Sequence, residues 1–464
     1  MAVTLTPGGF DAEGNDKNRA DYLFRAIGAV VTPDNASLPL PPGWPASGIA
    51  DVSPGSFAGL LRATPCPRTP HQPWSLPMTI TEPAATAVAT TSPEATSRPT
   101  VAPLPGTPFL EVETSVVTDR LGELAAALPG VAIHYAVKAN PHPRVLAAVV
   151  AAGGNFDVAS PAEVRACLAA GAAPDDLVYS NPVKRRDHVA EAAALGVRLF
   201  VVDSSTEVRK VAEAAPGSAV LCRLVTSGDG SDWPLSRKYG CSVGQAADIL
   251  RLAVALGLDA AGVSFHVGSQ QRDPNAWRSP IAAAASVFEA VRADGLSPWL
   301  LDLGGGFPAR HEGDIPPLAA YGAVIEDQLR QSFGEHRPRT IAEPGRAVVG
   351  DAGALVTSVV GVVERGDSRW VYLDAGVFTG LVETLEEAIR YRIETSADGG
   401  PTGPCVLAGP TCDSADVLYQ VTPVHLPLDL AEGDLVRFES AGAYTSCYST
   451  VGFNGFDPLP VVVG

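Results

Sequence analysis

Between residues 131 and 345 the chain alternates two textures. Short apolar runs occupy residues 133–137, 156–159, 177–180, 198–202, 219–224, 262–266, 299–303 and 340–343. Runs this short and apolar suit strands of a parallel sheet covered on both faces. Between them apolar residues return at helical spacing, as at Ile249, Leu252, Ala253 and Leu256, which mark one buried helix face. Ser160-Pro161-Ala162-Glu163 reads as a capping box with proline in the first turn, and Gly171 ends that helix. Eight strand-plus-helix units in about 210 residues predict an α/β fold, a (β/α)8 TIM-like barrel over residues 131–345.

After Arg346 the pattern changes. Runs rich in Val, Leu and Tyr are separated by Gly, Pro and Asp, and helical periodicity survives only near residues 383–392. Residues 346–464 are expected to form a mainly β domain, a β-barrel or sandwich, completed by a strand at 109–117 within the joining segment 106–130. Residues 1–105 hold 17 of the 41 prolines, with a Ser/Thr/Ala/Pro-rich tract at 79–105. That composition predicts a disordered leader, save for a short helix at 21–31. Met1 and Met78 are the only methionines, and Met78 is an alternative start because the foldable pattern begins well after it.

Charge and cysteine usage narrow the class. Lys+Arg 33 against Asp+Glu 51 gives a net charge of −18, which argues against a nucleic-acid partner. The seven cysteines are scattered without a C-x-x-C pair, so a reduced cytoplasmic setting fits better than a disulfide framework, and no metal site is expected. No apolar run has membrane-spanning length, and no export signal is recognisable at the N-terminus.

The unusual residues fall where the strands end, which is where barrels carry chemistry. Lys138, in Tyr135-Ala136-Val137-Lys138-Ala139-Asn140, follows the first strand. It is one of only five lysines against twenty-eight arginines, and a lysine, unlike an arginine, can lose its proton and bond covalently to a carbonyl carbon. His266 ends the sixth strand, where it suits a satisfied core residue, a base or a stacking partner. Gly304-Gly305-Gly306 follows the seventh strand and lets backbone N–H groups approach a ligand such as phosphate. Glu343, in Glu343-Pro344-Gly345-Arg346, ends the eighth. A carboxylate there needs a cationic partner, either a protonated pyridine nitrogen or an arginine such as Arg346. Cys412 and Asp413 lie in a glycine-flanked acidic stretch of the β domain.

Together with Phe453-Asn454-Gly455-Phe456, these stretches occur in the order seen in the pyridoxal-phosphate-dependent basic amino acid decarboxylases of the alanine racemase-like barrel fold, which the chain resembles from about residue 106 onward. The resemblance implies pyridoxal 5′-phosphate held covalently by Lys138, His266 stacked on its ring, and Glu343 on its ring nitrogen. It implies phosphate contacts from Gly304, Gly305 and Gly306 with Ser269, Arg346 and Tyr444. Asp157 is a further cofactor contact, and Glu163 a looser match already explained as a helix cap. It further implies a homodimer with shared sites, in which Cys412 protonates the substrate carbon and Asp413, with Asp374, holds a distal ammonium. The spacing around Asp374 departs by a residue from that of the eukaryotic enzymes. The substrate implied first is L-ornithine, giving putrescine and CO2; lysine, arginine or diaminopimelate are alternatives. Diaminopimelate would require a cation where Asp413 stands. A non-catalytic binding protein of this fold would be expected to lack the lysine or the cysteine, and a racemase would leave Cys412-Asp413 without a role.

Overall fold

A computed structural model describes residues 106–234 and 238–464; the leader, Met78 and the helix expected at 21–31 lie outside these. The apolar runs form strands because neighbouring parallel strands and covering helices bury both of their faces. In chain order the first strands are β1 (Phe109–Val112), β2 (Val131–Ala136), β3 (Asn155–Val158), β4 (Leu177–Tyr179), β5 (Leu199–Val202) and β6 (Ala219–Arg223). They are followed by β7 (Ser231–Trp233), β8 (Asp259–Ser264), β9 (Ser269–Gln271), β10 (Leu300–Asp302) and β11 (Arg339–Ala342). β2, β3, β4, β5, β6, β8, β10 and β11 close into one parallel barrel. Inside it Val178, Val201, Leu221, Ala261, Leu300 and Ile341 pack as a separate apolar core. The helices between strands bury the faces turned toward the barrel, as Ile249, Leu250 and Ala253 do in helix Val243–Ala255.

Two departures matter for the site. The first barrel strand, β2, ends at Ala136, and Val137–Ala139 turns as a 3₁₀ helix, so Lys138 stands on a tight turn at the barrel's mouth. β7 and β9 form an additional antiparallel pair above the barrel. At three residues each, Ser231-Asp232-Trp233 and Ser269-Gln270-Gln271, they are too short and too poor in apolar alternation to be read as strands.

Beyond the barrel lie β12 (Gly353–Arg365), β13 (Ser368–Leu373), β14 (Arg392–Thr395), β15 (Thr402–Ala408), β16 (Val417–Leu418), β17 (Val424–Pro427), β18 (Leu435–Glu439) and β19 (Val461–Val463). They form one sheet in the order β14-β18-β12-β13-β15-β16; β1 pairs antiparallel with β12 and parallel with β19. The strand expected at 109–117 is therefore real but shorter. Glu113 accepts the Ser115 N–H and starts helix Thr114–Ala127 instead. The helical periodicity near 383–392 gives no α-helix: Val382–Glu387 is a kinked 3₁₀ segment with Glu386 and Glu387 at φ 54° and 57°. No helix among the described residues is long and apolar enough to cross a membrane.

Candidate active site at the barrel mouth

The Lys138 turn is held from two sides. Tyr135 donates its hydroxyl proton to the Asn140 carbonyl (3.0 Å), and Asn140 donates from Nδ2 to the Gly442 carbonyl of the β domain (3.0 Å). Tyr444 N–H donates to the Ala139 carbonyl (2.8 Å), and Cys447 Sγ lies 3.2 Å from the Lys138 carbonyl oxygen. Nothing in the sequence pattern marked Cys447; burial pushes its thiol up to about 12.

Lys138 Nζ lies 2.6 Å from Asp157 Oδ2, while 44% of the lysine side chain stays open to solvent. Burial alone would lower the ammonium's pKa, but Asp157, Tyr444 and Glu343 together hold it above its ordinary value. Asp157 Oδ1 is buried with no hydrogen-bond partner among the described residues. Glu163 is drawn elsewhere: it accepts the Ala159 N–H (2.6 Å) while its own N–H donates to Ser160 Oγ (3.2 Å), an N-terminal cap for helix Pro161–Ala169.

Glu343 stands where β11 ends and accepts a hydrogen bond from the Ser180 hydroxyl. Burial, then the nearby carboxylates of Asp157 and Asp302, raise its pKa well above the usual range. Asp302, which the sequence analysis did not mark as a titratable group, is raised to about 7 by burial and by Asp157, although it accepts the Gly304 N–H at 2.8 Å. Three acids thus share one dry space, which favours the protonated form of Glu343.

His266 is neutral, its pKa pushed down by burial and by the charges of Arg223 and Lys138. Its Nδ1 accepts the Gly268 N–H (3.0 Å), so the remaining ring proton sits on Nε2.

The triple-glycine turn is steric necessity. A Cβ on Gly304 would lie 1.9 Å from the Phe265 carbonyl oxygen, one on Gly305 2.7 Å from that of Glu343, and one on Gly306 2.5 Å from that of Gly268. Gly304 and Gly306 also take positive φ. The N–H groups of Gly305 and Gly306 donate to no atom of the described residues. Beside them Ser269 Oγ lies 3.2 Å from Arg346, whose guanidinium also faces the Tyr444 ring at 4.9 Å. Arg346 makes a two-pronged pair with buried Glu383, at 2.8 and 2.5 Å. Glu383 went unread because it lies in the segment that looked helical.

A family model described as the pyridoxal binding domain of pyridoxal-dependent decarboxylases matches residues 114–350. The chain belongs to the pyridoxal-dependent decarboxylases. It is 34% identical over 358 residues to a lysine/ornithine decarboxylase of Selenomonas ruminantium, covering 77% of this chain and 89% of that one. It is 35% identical over 368 residues to a chloroplastic ornithine decarboxylase of Nicotiana glauca, covering 76% and 83%. Among solved structures it resembles the arginine decarboxylase of Paramecium bursaria Chlorella virus bound to agmatine, at 29% identity and TM-score 0.71, covering 78% and 98%.

The residues present fit the cofactor of these decarboxylases. A glycine cradle with free N–H groups suits a phosphate, a buried acid that favours its protonated form suits a basic ring nitrogen, and a reachable amine suits an aldehyde.

The β-domain residues are arranged differently. Cys412 and Asp413 are exposed and make no hydrogen bond with Lys138, Glu343 or Arg346. Their loop is nevertheless fixed. Cys412 N–H donates to Asn454 Oδ1 (2.9 Å), while buried Asp416 accepts from Thr411 N (3.0 Å), Thr411 Oγ1 (2.7 Å) and Val377 N (2.8 Å). Asp374, expected at a substrate ammonium, is a correction. Its carboxylate accepts from Thr107 Oγ1 (2.6 Å), Ser358 N (2.9 Å), Ser358 Oγ (2.8 Å) and the Thr357 hydroxyl. Four donors saturate it, so it fastens residues before β1 to β12 and has no capacity left for a ligand.

Proposed function

We propose that this basic amino acid decarboxylase acts on L-ornithine, releasing CO2 and putrescine. The observation that carries the reading is Lys138 Nζ at 2.6 Å from Asp157, on a turn flanked by the triple-glycine cradle and by buried Glu343 at the end of β11.

Pyridoxal phosphate, when bound, supplies a ring that accepts the electron pair left on the substrate's α-carbon as CO2 departs. Lys138 would hold it covalently. For that the ammonium must lose a proton, and Asp157 Oδ2 is close enough to take it. Glu343 would share its proton with the ring nitrogen, and the strain of three neighbouring acids relaxes once a base arrives. The neutral His266 ring offers a flat apolar face to an aromatic ring. The Gly305 and Gly306 N–H groups, Ser269, Arg346 and Tyr444 would hold the phosphate.

Cys412 is assigned the return of a proton to the α-carbon, and Asp413 the distal ammonium. Because both are exposed and hydrogen-bond to none of Lys138, Glu343 or Arg346 in a single chain, a second copy would bring them to the site, as in a homodimer. With Asp374 saturated, Asp413 is the acid left to the ammonium among those expected there. A substrate ending in a carboxylate, as diaminopimelate does, would meet repulsion there. Stranding a buried ionic partner costs about 3–5 kcal/mol, roughly 10²–10³ in kcat/KM.

Comparing kcat/KM for ornithine, lysine, arginine and diaminopimelate tests this. Ornithine is expected to lead lysine, from which it differs by one methylene, worth about 1–3 kcal/mol. A higher value for arginine or diaminopimelate would sink the assignment.

A further inference from the structure

Three stretches of chain would converge on the cofactor's phosphate: Ser269 in β9, the turn of Gly305 and Gly306, and Arg346 after β11. To grip one small anion they must keep fixed distances from one another. Gln270, the neighbour of Ser269, is fully buried and has φ 55°. Among the described residues of the barrel segment 131–345 it is the only non-glycine in the left-handed region. A Cβ is disfavoured there and glycine is at ease. Such a conformation persists where the surroundings hold it in place.

What holds it is the side-chain amide. Gln270 Nε2 donates to the Ala309 carbonyl (2.8 Å), and the Ala309 N–H donates to Gln270 Oε1 (3.0 Å). A backbone N–H can only donate, so the two bonds also fix which end of the amide is oxygen. Ala309 continues the glycine turn and is itself buried. Alongside, the Gln271 N–H donates to the Gly306 carbonyl (2.9 Å). Ala309 also abuts Gly350, which follows helix Arg346–Val349. A Cβ on Gly350 would lie 2.7 Å from Ala309 Cβ and 3.5 Å from Arg346 Cγ. Gln270 thus ties the neighbour of Ser269 to a residue that extends the glycine turn and packs beside the Arg346 helix.

We propose that Gln270 is a positioning residue for the cofactor's phosphate. Its amide is engaged with Ala309, so it acts through Ser269 and the glycine turn, setting the gap between the serine hydroxyl and the Gly305 and Gly306 N–H groups. This role rests on the proposed holding of the phosphate by those groups. The left-handed backbone turns Ser269 toward the turn, and the paired amide keeps it there.

The test compares the dissociation constants of pyridoxal and pyridoxal 5′-phosphate for the full chain, because their ratio reports the hold on the phosphate. Gln270→Gly takes up the backbone freely but loses the amide. Gln270→Asn tolerates the same φ yet is a methylene too short to reach both Ala309 atoms. Both should fold, since relief at φ offsets part of the lost bonding, and in both the preference for the phosphorylated form should fall about tenfold or more. A lowered Tm with the wild-type preference kept in both variants would make Gln270 merely structural and overturn its role. Ser269→Ala should lower the preference too. If it does and the Gln270 variants do not, the positioning role alone fails; a preference unchanged in all three removes the phosphate assignment and the positioning role with it.

Discussion

Asp302 and Glu343 show how burial and charge set protonation at single residues. In the unfolded chain Asp302 titrates near 3.8, whereas in the fold burial raises it to about 7. Between these values the folded state binds more protons, so its contribution to stability is full below about pH 4 and is lost as pH rises toward 7. In the cofactor-free protein, Asp302→Asn should therefore gain Tm relative to wild type as pH goes from 4 to 7. A difference in Tm that stays flat over this window would refute the raised pKa. Lys138→Ala is expected to abolish both the absorbance of bound cofactor and CO2 release, since no other amine can replace a covalent hold. Cys412→Ala should instead keep the absorbance while lowering kcat by about 10²–10⁴, the usual worth of a positioned proton donor; unchanged turnover would remove it from the reaction.

At the scale of elements, the parts legible in advance were those whose chemistry repeats locally. Each of the eight barrel strands lies within or against an apolar run, because burial on both faces leaves such a run no other stable use. The β7–β9 pair escaped notice since three residues with at most one apolar side chain carry no such signature. The segment at 382–387 misled for the opposite reason. Val382 and Leu385 fall at helical spacing, yet Glu383 is drawn inward to Arg346, a tertiary contact no local pattern encodes. Asp374 illustrates the same limit, since its four donors come from two distant parts of the chain, Thr107 and the adjacent Thr357 and Ser358. The triple-glycine turn, by contrast, was readable from composition, although its steric cause was not. Gly305→Ala should fold, as its φ is ordinary, but displace His266 or Glu343 at about 1–3 kcal/mol. Equilibrium dialysis should then show cofactor affinity reduced roughly tenfold or more; wild-type affinity would mean the turn tolerates a side chain.

For the whole molecule, the proposed supply of Lys138 by one copy and of the exposed Cys412-Asp413 loop by another makes the assembly testable. If two copies share sites by two-fold symmetry, mixing inactive Lys138→Ala with inactive Cys412→Ala protein gives mixed dimers with one intact site each. At random exchange about a quarter of wild-type activity should return. Failure to regain any, with exchange verified by mass, would place both groups in one copy.

The two tethers from the β domain to the Lys138 turn bear on how far this protein can be dissected. Asn140 reaches across to Gly442, and Tyr444 reaches back to Ala139. A fragment ending at residue 345 would keep every barrel strand yet lose both anchors, freeing the peptide that aims the amine. Trimming the chain to its cofactor-binding half would thus uncouple having the nucleophile from having it oriented, and transplanting the barrel into another protein would require carrying residues 440–447 along with it.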